Sequence, residues 1–436
     1  MRGAWQRFIV DVPVRERWLV VGAMALSAAL VLIYVLATRS REIAGDEVIY
    51  NEYGVFFTEG SLWHTTTPFG IEHASAWKPP GYPAWVGFWY SVLGVSPLRV
   101  EVVQGLLLAP LTVLLSWRLA RRLLGAQVAI VAAFIVAAFP LVWEYFGMLF
   151  PEALAIPLTL ATLLAVWGRP ATPANAVLAG VLLGLGLLIR PTAFFLVAAV
   201  AVAWILAAGW RRGLGMSALA VVVAGLVVLP WTVRNFVVLD GFVPISVQES
   251  GAYGTFNEEA ANDPDAPYSW RPLPEPYLPA INEFREEGLD EPALRSELYD
   301  LAWDYVRDNP EAVPKAFFYN GLLRFWEIRS PGAALDEVDF QGRSRAVRAV
   351  GLAMYYALVP LAIYGLWRLR RRRDIVLPLL ALAITASLAF TLIAGTRYRA
   401  PVEPLIVIVA AAGLVSIFRR DAPLEPRPPV AAPGGP

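Results

Sequence analysis

The chain has 436 residues with 36 basic and 36 acidic side chains, so it has no net charge, and it contains no cysteine. These features favour no nucleic-acid partner and exclude disulfides and thiolate metal sites. Mean hydropathy is +0.54, and the apolar residues come in runs of about 18 or more, enough for a helix to cross a hydrocarbon core of roughly 30 Å. The predicted fold class is therefore an all-α polytopic membrane protein.

About ten transmembrane helices are predicted. The first follows four arginines, is longer than a signal-peptide core and precedes no small-residue cleavage site, so it is interpreted as a retained span. The fifth carries three glycines that permit close helix packing. The predicted spans cover Trp18–Leu36, Arg99–Leu119, Val128–Trp143, Pro151–Trp167, Ala174–Ile189, Thr192–Ala208, Leu214–Val233, Ala349–Trp367, Ile375–Gly395 and Ala400–Phe418.

Two regions outside the spans stand out. The first loop contains both histidines and one of only two lysines, and its segment 82–93 is predicted as an interfacial helix or a lead-in to the second span. A second region of 113 residues has 21 acidic against 9 basic residues, and its segments 291–307 and 311–326 have the pattern of amphipathic helices. The predicted organisation is a cytoplasmic N-terminus with the first span (1–37), a first outer loop (38–98), spans two to seven (99–234), a large outer loop (235–347), the last three spans (348–420) and a disordered cytoplasmic tail (421–436), proline-rich from residue 423.

Orientation follows from the positive-inside rule, which counts lysine and arginine in short loops. With ten spans and a cytoplasmic N-terminus, every inner loop is basic and the C-terminus is also cytoplasmic. The two long loops then face outside. The basic residues of the predicted inner loops are Arg118, Arg121, Arg122, Arg169, Arg211, Arg212, Arg368, Arg370, Arg371, Arg372, Arg373, Arg419 and Arg420.

Charged residues are nearly absent within the predicted spans and recur at their outer ends, which predicts an outward-facing basin. They are Arg99, Glu101, Glu144, Glu152, Arg190, Arg234, Arg397, Arg399 and Glu403. The pattern argues against an ion-coupled transporter, which places carboxylates near mid-membrane. Because ATP and nucleotide sugars are cytoplasmic, group transfer in such a basin needs a donor delivered within the membrane. A polyprenyl-phosphate-linked donor fits this requirement.

Six motifs occur in a characteristic order. They are Gly45-Asp46-Glu47, Lys78-Pro79-Pro80-Gly81-Tyr82-Pro83, Phe150-Pro151-Glu152, Leu188-Ile189-Arg190-Pro191-Thr192, Pro230-Trp231-Thr232-Val233-Arg234-Asn235 and Thr396-Arg397-Tyr398-Arg399-Ala400-Pro401. Over nearly its whole length the chain resembles C-type membrane glycosyltransferases, in particular the bacterial branch related to protein O-mannosyltransferases and lipid A aminoarabinose transferases. The sizeable C-terminal soluble domain of longer members is not expected from these 436 residues.

The resemblance places the catalytic aspartate in the Asp46-Glu47 pair. Asp46 is expected to act as general base on an acceptor hydroxyl, and Glu47 to orient Asp46 or to hold an amphipathic helix. The alternative is that both carboxylates cap the following helix. Glu152 matches the acidic position in the second outer loop of the family. It is expected, with Tyr82, to bind the sugar or the acceptor, unless it only stabilises a helix dipole.

Lys78 is expected to bind the donor phosphate, because a compact ammonium stabilises the charge that grows on the leaving group. Interfacial snorkelling is the alternative, which an arginine-rich chain would fill with arginine. Arg190, Arg397 and Arg399 are candidates for a second phosphate clamp, because guanidinium groups bind phosphate bidentately; a single arginine at a span end also serves as a headgroup anchor.

A metal site is a further hypothesis. His73 and Glu72, with His64, have side chains that suit zinc or manganese, so the cofactor prediction leaves a divalent cation open and names no other cofactor. Four tryptophans in or next to the first outer loop are expected to form an interfacial belt rather than a sugar-stacking platform. They are Trp63, Trp77, Trp85 and Trp89.

The resemblance implies an integral glycosyltransferase of a bacterial inner or plasma membrane, surrounded by membrane lipids and active on the outer face. It would transfer one sugar from a polyprenyl-phosphate donor to an envelope glycan, lipid or protein acceptor, by a single displacement that inverts the anomeric centre. The alternative is a transporter or flippase of lipid-linked saccharides. That class predicts internal repeats or polar residues within the spans, and the sequence shows neither.

Overall fold

A computed structural model describes residues 12–61, 64–66, 72–247, 251–271, 274–287, 291–336, 342–392 and 396–418. Helices dominate these ranges, and the strands within them are two paired segments of two residues each, β1 (His64–Thr65) and β2 (His73–Ala74). The predicted all-α membrane fold class is confirmed. The proline-rich tail, for which disorder is predicted, and Trp63 lie outside the described residues.

The helices follow one another with short connections. In chain order they are α1 (Val14–Ala37), α2 (Asp46–Thr58), α3 (Gly81–Leu93), α4 (Pro97–Leu124), α5 (Ala126–Ala138), α6 (Pro140–Trp143), α7 (Glu152–Val166), α8 (Pro173–Ile189), α9 (Leu196–Ala208), α10 (Trp210–Leu239), α11 (Ala252–Thr255), α12 (Glu258–Ala261), α13 (Leu278–Glu287), α14 (Glu291–Asp308), α15 (Ala312–Ala316), α16 (Pro331–Asp336), α17 (Arg345–Leu369), α18 (Arg373–Ala389) and α19 (Glu403–Phe418). Tighter 3₁₀ turns cover Glu144–Gly147, Pro191–Phe195, Glu275–Tyr277 and Thr396–Val402, and a π-helix covers Phe317–Arg324.

Each of the ten predicted spans falls on a helical segment, but the segments differ in length. Among the described residues, six helices are long and apolar enough to cross a membrane, and α5 with its continuation to Gly147 makes a seventh if the bent pair is one span. Helices α7 and α8 are apolar but have 15 and 17 residues, about 22 and 26 Å. The protein is thus a multi-pass membrane protein, and the count of ten full crossings stays a prediction.

The third predicted span is broken inside the sequence that the hydropathy pattern joins. Helix α5 ends at Ala138 and the chain bends by 66° before it continues at Pro140. The residue before a proline is disfavoured in the helical conformation, and Phe139 is extended, with φ −83° and ψ 109°. The bend directs the buried turn that contains Glu144 towards the end of α1.

The predicted role of the glycines in the fifth span is confirmed for two of the three. A β-carbon at Gly180 would lie 2.5 Å from the carbonyl oxygen of Ala220, and one at Gly184 would lie 2.6 Å from the β-carbon of Val227. Helix α8 therefore packs on α10 at a distance that only glycine allows. This pairing fixes the end of α8, where Arg190 follows.

The residues between α10 and α17, here called the outer insert (240–344), build a second small core. Its members include Val243, Tyr253, Phe284 and Leu294, and the first outer loop contributes Ala76 and Trp77 to it. Burial of Trp77 in this core means that the predicted interfacial position is wrong for this residue. The loop segment that leads to Lys78 is consequently packed into the insert.

Six elements bring their ends together at one end of the helix bundle. These are the C-terminal ends of α1, α8 and α18 and the N-terminal ends of α2, α7 and α19. Helices α4 and α1 pair a basic and an acidic residue at the opposite end, where Arg121 donates to Glu16 at 2.8 Å. The charged residues expected in the basin lie on or beside these ends, at the start of α4, near the end of α10, or in the 3₁₀ turn that follows α6.

Candidate active site

Asp46 is the residue on which two cations converge. It is the first residue of α2, placed there by Gly45, whose φ of 58° is a conformation that glycine adopts easily. Lys78 donates from Nζ to Asp46 Oδ1 at 2.8 Å, and Arg397 donates from Nη2 to Oδ2. The side chain of Lys78 is 1% exposed and that of Asp46 is 17% exposed. Asp46 is thus held by one cation 32 positions away in the sequence and by another 351 positions away.

The electrostatics of this triad are asymmetric. Burial alone would raise the pKa of Asp46, but the adjacent Arg397 and Lys78 charges outweigh it and hold that pKa well below its usual range. Burial lowers the pKa of Lys78, and the attraction of Asp46 only partly offsets this effect. Asp46 is therefore ionised at neutral pH and is a weak base while both cations hold it.

A second carboxylate stands beside the triad. Glu152 begins α7, and its Oε1 accepts a hydrogen bond from Arg190 Nη2 while Arg397 Nε lies 3.9 Å away. The guanidinium of Arg190 also lies over the ring of Tyr398, 4.5 Å from its centroid. We call Asp46, Lys78, Glu152, Arg190 and Arg397 the Asp46 cluster.

Several polar atoms of the Asp46 cluster are buried and make no hydrogen bond. They are Oε2 of Glu152 and the Nε atoms of Arg190 and Arg397. Buried polar groups are normally hydrogen-bonded, so each of these atoms can still take a partner. One acceptor and two donors are thus available within a cluster that has three cations and two carboxylates. The surplus of positive charge suits an anion.

Aromatic rings support the lysine. Lys78 Nζ lies 5.4 Å from the centroid of Tyr50, and Tyr82 packs edge-on against Tyr50 at 5.1 Å. Tyr82 is fully buried and donates its hydroxyl proton to Gln104 at 3.2 Å. Tyr82 therefore reaches the cluster through Tyr50, and its own hydroxyl is turned to α4.

Glu47 faces the other way from Asp46. It accepts two hydrogen bonds from Arg41 and one from the backbone N–H of Leu149 at 2.9 Å, while Arg41 also lies 3.2 Å from Glu101. We call Arg41, Glu47 and Glu101 the Glu47 cluster. It ties the turn before Glu152 to the start of α2.

Arg399 lies in a separate contact group. It donates from Nε to Glu403 at 2.6 Å and from Nη1 to the carbonyl of Phe325 at 2.5 Å, and it stacks on Tyr355. Its side chain is fully buried. The structure thus brings Lys78, Arg190 and Arg397 to the acidic pair Asp46 and Glu152, and it does not bring Arg399 there.

The candidate metal ligands are not gathered. His73 Nε2 is 3.0 Å from Oε1 of Glu291, Glu72 is exposed, and His64 lies on the neighbouring strand β1. Within the part of the chain that the structure describes, no three His, Asp or Glu side chains are placed to hold a metal ion.

The sequence reasoning missed four neighbours of the site. Tyr50 follows Asp46 by four positions on one helix face, a spacing that could have identified it. Tyr398 stands between Arg397 and Arg399, two candidate phosphate ligands. Arg41 and Glu291 have no such signal, because Arg41 meets Glu101 60 positions away and Glu291 meets Ala76 215 positions away.

Two sequence comparisons bear on this arrangement. A family model described as dolichyl-phosphate-mannose-protein mannosyltransferase matches residues 77–234, a range that contains Lys78, Glu152 and Arg190. No curated protein sequence matches the chain.

Solved structures show the fold. Oligosaccharyltransferase AglB from Archaeoglobus fulgidus, in complex with an inhibitory peptide and a dolichol-phosphate, is 16% identical over 93% of this chain and 51% of its own, with a TM-score of 0.53. An Archaeoglobus fulgidus oligosaccharyltransferase tethered with an acceptor peptide is 15% identical over 93% of this chain and 50% of its own, with a TM-score of 0.55. The present chain spans about half the length of these proteins.

A third structure, ArnT from Cupriavidus metallidurans bound to undecaprenyl phosphate, is 19% identical over 91% of this chain and 78% of its own. Its TM-score of 0.40 is too low to argue a shared fold. The family-model match and the AglB fold confirm the predicted resemblance to C-type membrane glycosyltransferases.

Proposed function

We propose that this chain, which has the C-type fold, is a membrane glycosyltransferase that moves a sugar from a polyprenyl-phosphate donor to an acceptor on the outer face. The observation that carries the proposal is the Asp46 cluster: a carboxylate held by two cations, beside unsatisfied donors and an unsatisfied acceptor. A phosphate fits the cations, and a sugar hydroxyl fits the free oxygen of Glu152. The dolichol-phosphate bound to AglB supports this class of ligand.

Lys78 and Arg397 bind the donor phosphate, and Arg190 assists them through its free Nε. Charged donors in a buried site stabilise the charge that develops on the leaving phosphate, which is often the largest contribution to catalysis. Arg399 donates to Glu403 and to a backbone carbonyl in a separate contact group, away from Asp46. Its role is accordingly to hold the turn that carries Arg397, rather than to contact phosphate.

Phosphate binding also prepares the base. When the donor phosphate attracts Lys78 and Arg397, both cations weaken their hold on Asp46 and its pKa rises towards the ordinary value. The acceptor oxygen then bonds to the anomeric carbon as the bond from that carbon to the phosphate oxygen breaks. Asp46 takes the acceptor proton and the bonding electrons leave with polyprenyl phosphate. A single displacement of this kind inverts the anomeric centre.

The other acidic and aromatic residues position the reactants. Glu152 binds a sugar or acceptor hydroxyl with its free Oε2, and Tyr82 supports this face of the site through Tyr50. Glu47 acts indirectly by fixing the turn before Glu152 to α2. The acceptor is a glycan, lipid or protein of the envelope.

The outer orientation is proposed from the positive-inside rule. The Asp46 cluster lies at the end of the bundle opposite to the basic ends of α4 and α10. Both termini are then cytoplasmic, in a bacterial inner membrane.

The test is sugar transfer from a panel of radiolabelled polyprenyl-phosphate sugars by the purified protein in liposomes. Asp46→Asn and Lys78→Ala are expected to lose transfer by about 10²-fold or more, because each removes a group that acts in the transition state. Lys315→Ala is the matched control, because Lys315 is the only other lysine and is half exposed. Parallel reactions with Mg²⁺, Mn²⁺ or a chelator test whether a divalent cation takes part.

Two results would contradict the proposal. Variants as active as the wild type would remove Asp46 and Lys78 from the chemistry. Movement of the lipid across the membrane without any transfer would favour the flippase alternative.

A further inference from the structure

We infer that Glu291, in the outer insert, is a positioning residue that sets the place of Lys78 against Asp46. Glu291 is the first residue of α14, and its carboxylate is fully buried. Oε2 accepts from the backbone N–H of Ala76 at 2.7 Å, and Oε1 accepts from Ser75 Oγ at 2.6 Å, with His73 Nε2 3.0 Å away. One carboxylate thus holds His73, Ser75 and Ala76, three residues of the loop segment that leads to Lys78.

The same loop is held from its other side. The carbonyl of Ala76 accepts from the N–H of Val247 at 3.0 Å, and the carbonyl of Ser75 accepts from Arg234 at 3.0 Å. Ser75 Oγ additionally accepts from the N–H of Trp77 at 2.9 Å. The carbonyl groups of residues 75 and 76, the Ser75 hydroxyl and the Ala76 N–H are therefore all bound by the outer insert or by the end of α10.

Lys78 follows directly after these hydrogen-bonded residues. Trp77 is packed into the core of the outer insert, and Pro79 and Pro80 follow Lys78 with restricted backbone angles. The backbone of Lys78 thus has little freedom, and its ammonium reaches Asp46 at the start of α2 from the insert side. The function of this arrangement rests on the proposed role of Lys78 in phosphate binding.

A positioning role differs from a general contribution to stability. If Glu291 acts through Lys78, its removal should release this lysine specifically while the helix bundle stays folded. Loss of hydrogen bonds to a charged group costs about 1.5–3 kcal/mol. That corresponds to about a 10- to 100-fold rise in the population of the released state.

The two-lysine composition makes the test direct. Full-length protein in nanodiscs is treated with an amine-reactive ester, and labelling of Lys78 and Lys315 is followed by mass spectrometry of their separate peptides. In the wild type, buried Lys78 is expected to react slowly and exposed Lys315 fast. Glu291→Gln and the milder Ser75→Ala should raise the rate at Lys78, about tenfold or more for Glu291→Gln, and leave Lys315 unchanged. Asp300→Asn, an exposed acid on the same helix, should change neither.

A second readout tests whether Glu291 acts through Lys78. Binding of undecaprenyl phosphate should weaken in Glu291→Gln, and the same change should add nothing in a Lys78→Ala background. The inference would be overturned if Lys78 stayed protected from labelling in both Glu291→Gln and Ser75→Ala. It would also be overturned if the labelling rate of Lys78 rose only in variants that no longer unfold cooperatively. The labelling result stands even if undecaprenyl phosphate does not bind, so failure of the proposed function is distinguishable.

Discussion

Asp46 and Glu47 are adjacent acidic residues at the start of one helix, yet they belong to opposite kinds of charge cluster. The Asp46 cluster has three cations for two carboxylates, and several of its polar atoms are unsatisfied. The Glu47 cluster has one cation for two carboxylates, and Glu47 also binds a backbone N–H. The first cluster can accept an anion, whereas the second has no spare cation for one.

This difference shows how the first two residues of one helix can have separate roles, with Asp46 available to a ligand and Glu47 anchoring the chain. Side-chain partners can rearrange when a ligand arrives, and Lys78 and Arg397 hold Asp46 through their side chains. A backbone amide cannot leave without moving the chain. Charge surplus and partner type therefore separate the two carboxylates better than residue type does.

The largest expected effect tests the anchoring side. Glu47→Gln should lower the free energy of unfolding by about 3 kcal/mol, because breaking a buried ion pair leaves an uncompensated charge and Arg41 keeps only Glu101. Thermal unfolding in detergent measures this loss. Glu59→Gln, an exposed acid just after the same helix, is the control and should change stability little. Equal stability of Glu47→Gln and the wild type would remove the distinction between the clusters.

A smaller effect tests the surplus of cations on the Asp46 side. Arg397→Ala should weaken binding of undecaprenyl phosphate by about 10- to 100-fold, the range of a charge-assisted hydrogen bond. Asp46→Asn should bind this lipid as well as the wild type or better, because the competing carboxylate is gone. Titration of labelled lipid into the protein in nanodiscs gives both affinities.

Arg399→Ala is the control for Arg397→Ala in the lipid titration. Because its guanidinium is bound to Glu403 and Phe325, its loss should reduce stability more than lipid affinity. If Asp46→Asn abolished lipid binding, Asp46 would belong to the phosphate site itself and the contrast with the cations would fail.

The helices could be predicted from hydropathy because long apolar runs leave few alternatives. The broken third span could have been found too, since Pro140 stands within it. The motifs predict that Asp46 and Lys78 act in one reaction; the structure places their charged groups 2.8 Å apart, and their roles stay predictions. These features depend on local sequence or on which end of a span a residue occupies.

The features that could not be predicted depend on the direction in which side chains point and on contacts between residues far apart in the sequence. Consecutive helical residues point about 100° apart, so Asp46 and Glu47 could not both face one site, but the sequence does not say which one does. Arg397 and Arg399 pose the same problem in a 3₁₀ turn. Glu291 lies 215 positions from its partner Ala76, and no local pattern links them.

The smallest expected effect is a shift in pH dependence, and it concerns Lys78. Burial lowers its pKa, so as pH rises the ammonium loses its proton earlier than a free lysine does, and affinity for undecaprenyl phosphate should fall through that lowered pKa. Lys78→Arg should move this alkaline limb upward, because guanidinium stays protonated throughout the accessible range. The acid limb, set by the second ionisation of the phosphate near pH 6, should be the same in both proteins. If the affinity of the wild type fell only at or above the pKa of a free lysine, the buried Lys78–Asp46 pair would not control phosphate binding. The Asp46 cluster would then differ from the Glu47 cluster in charge alone.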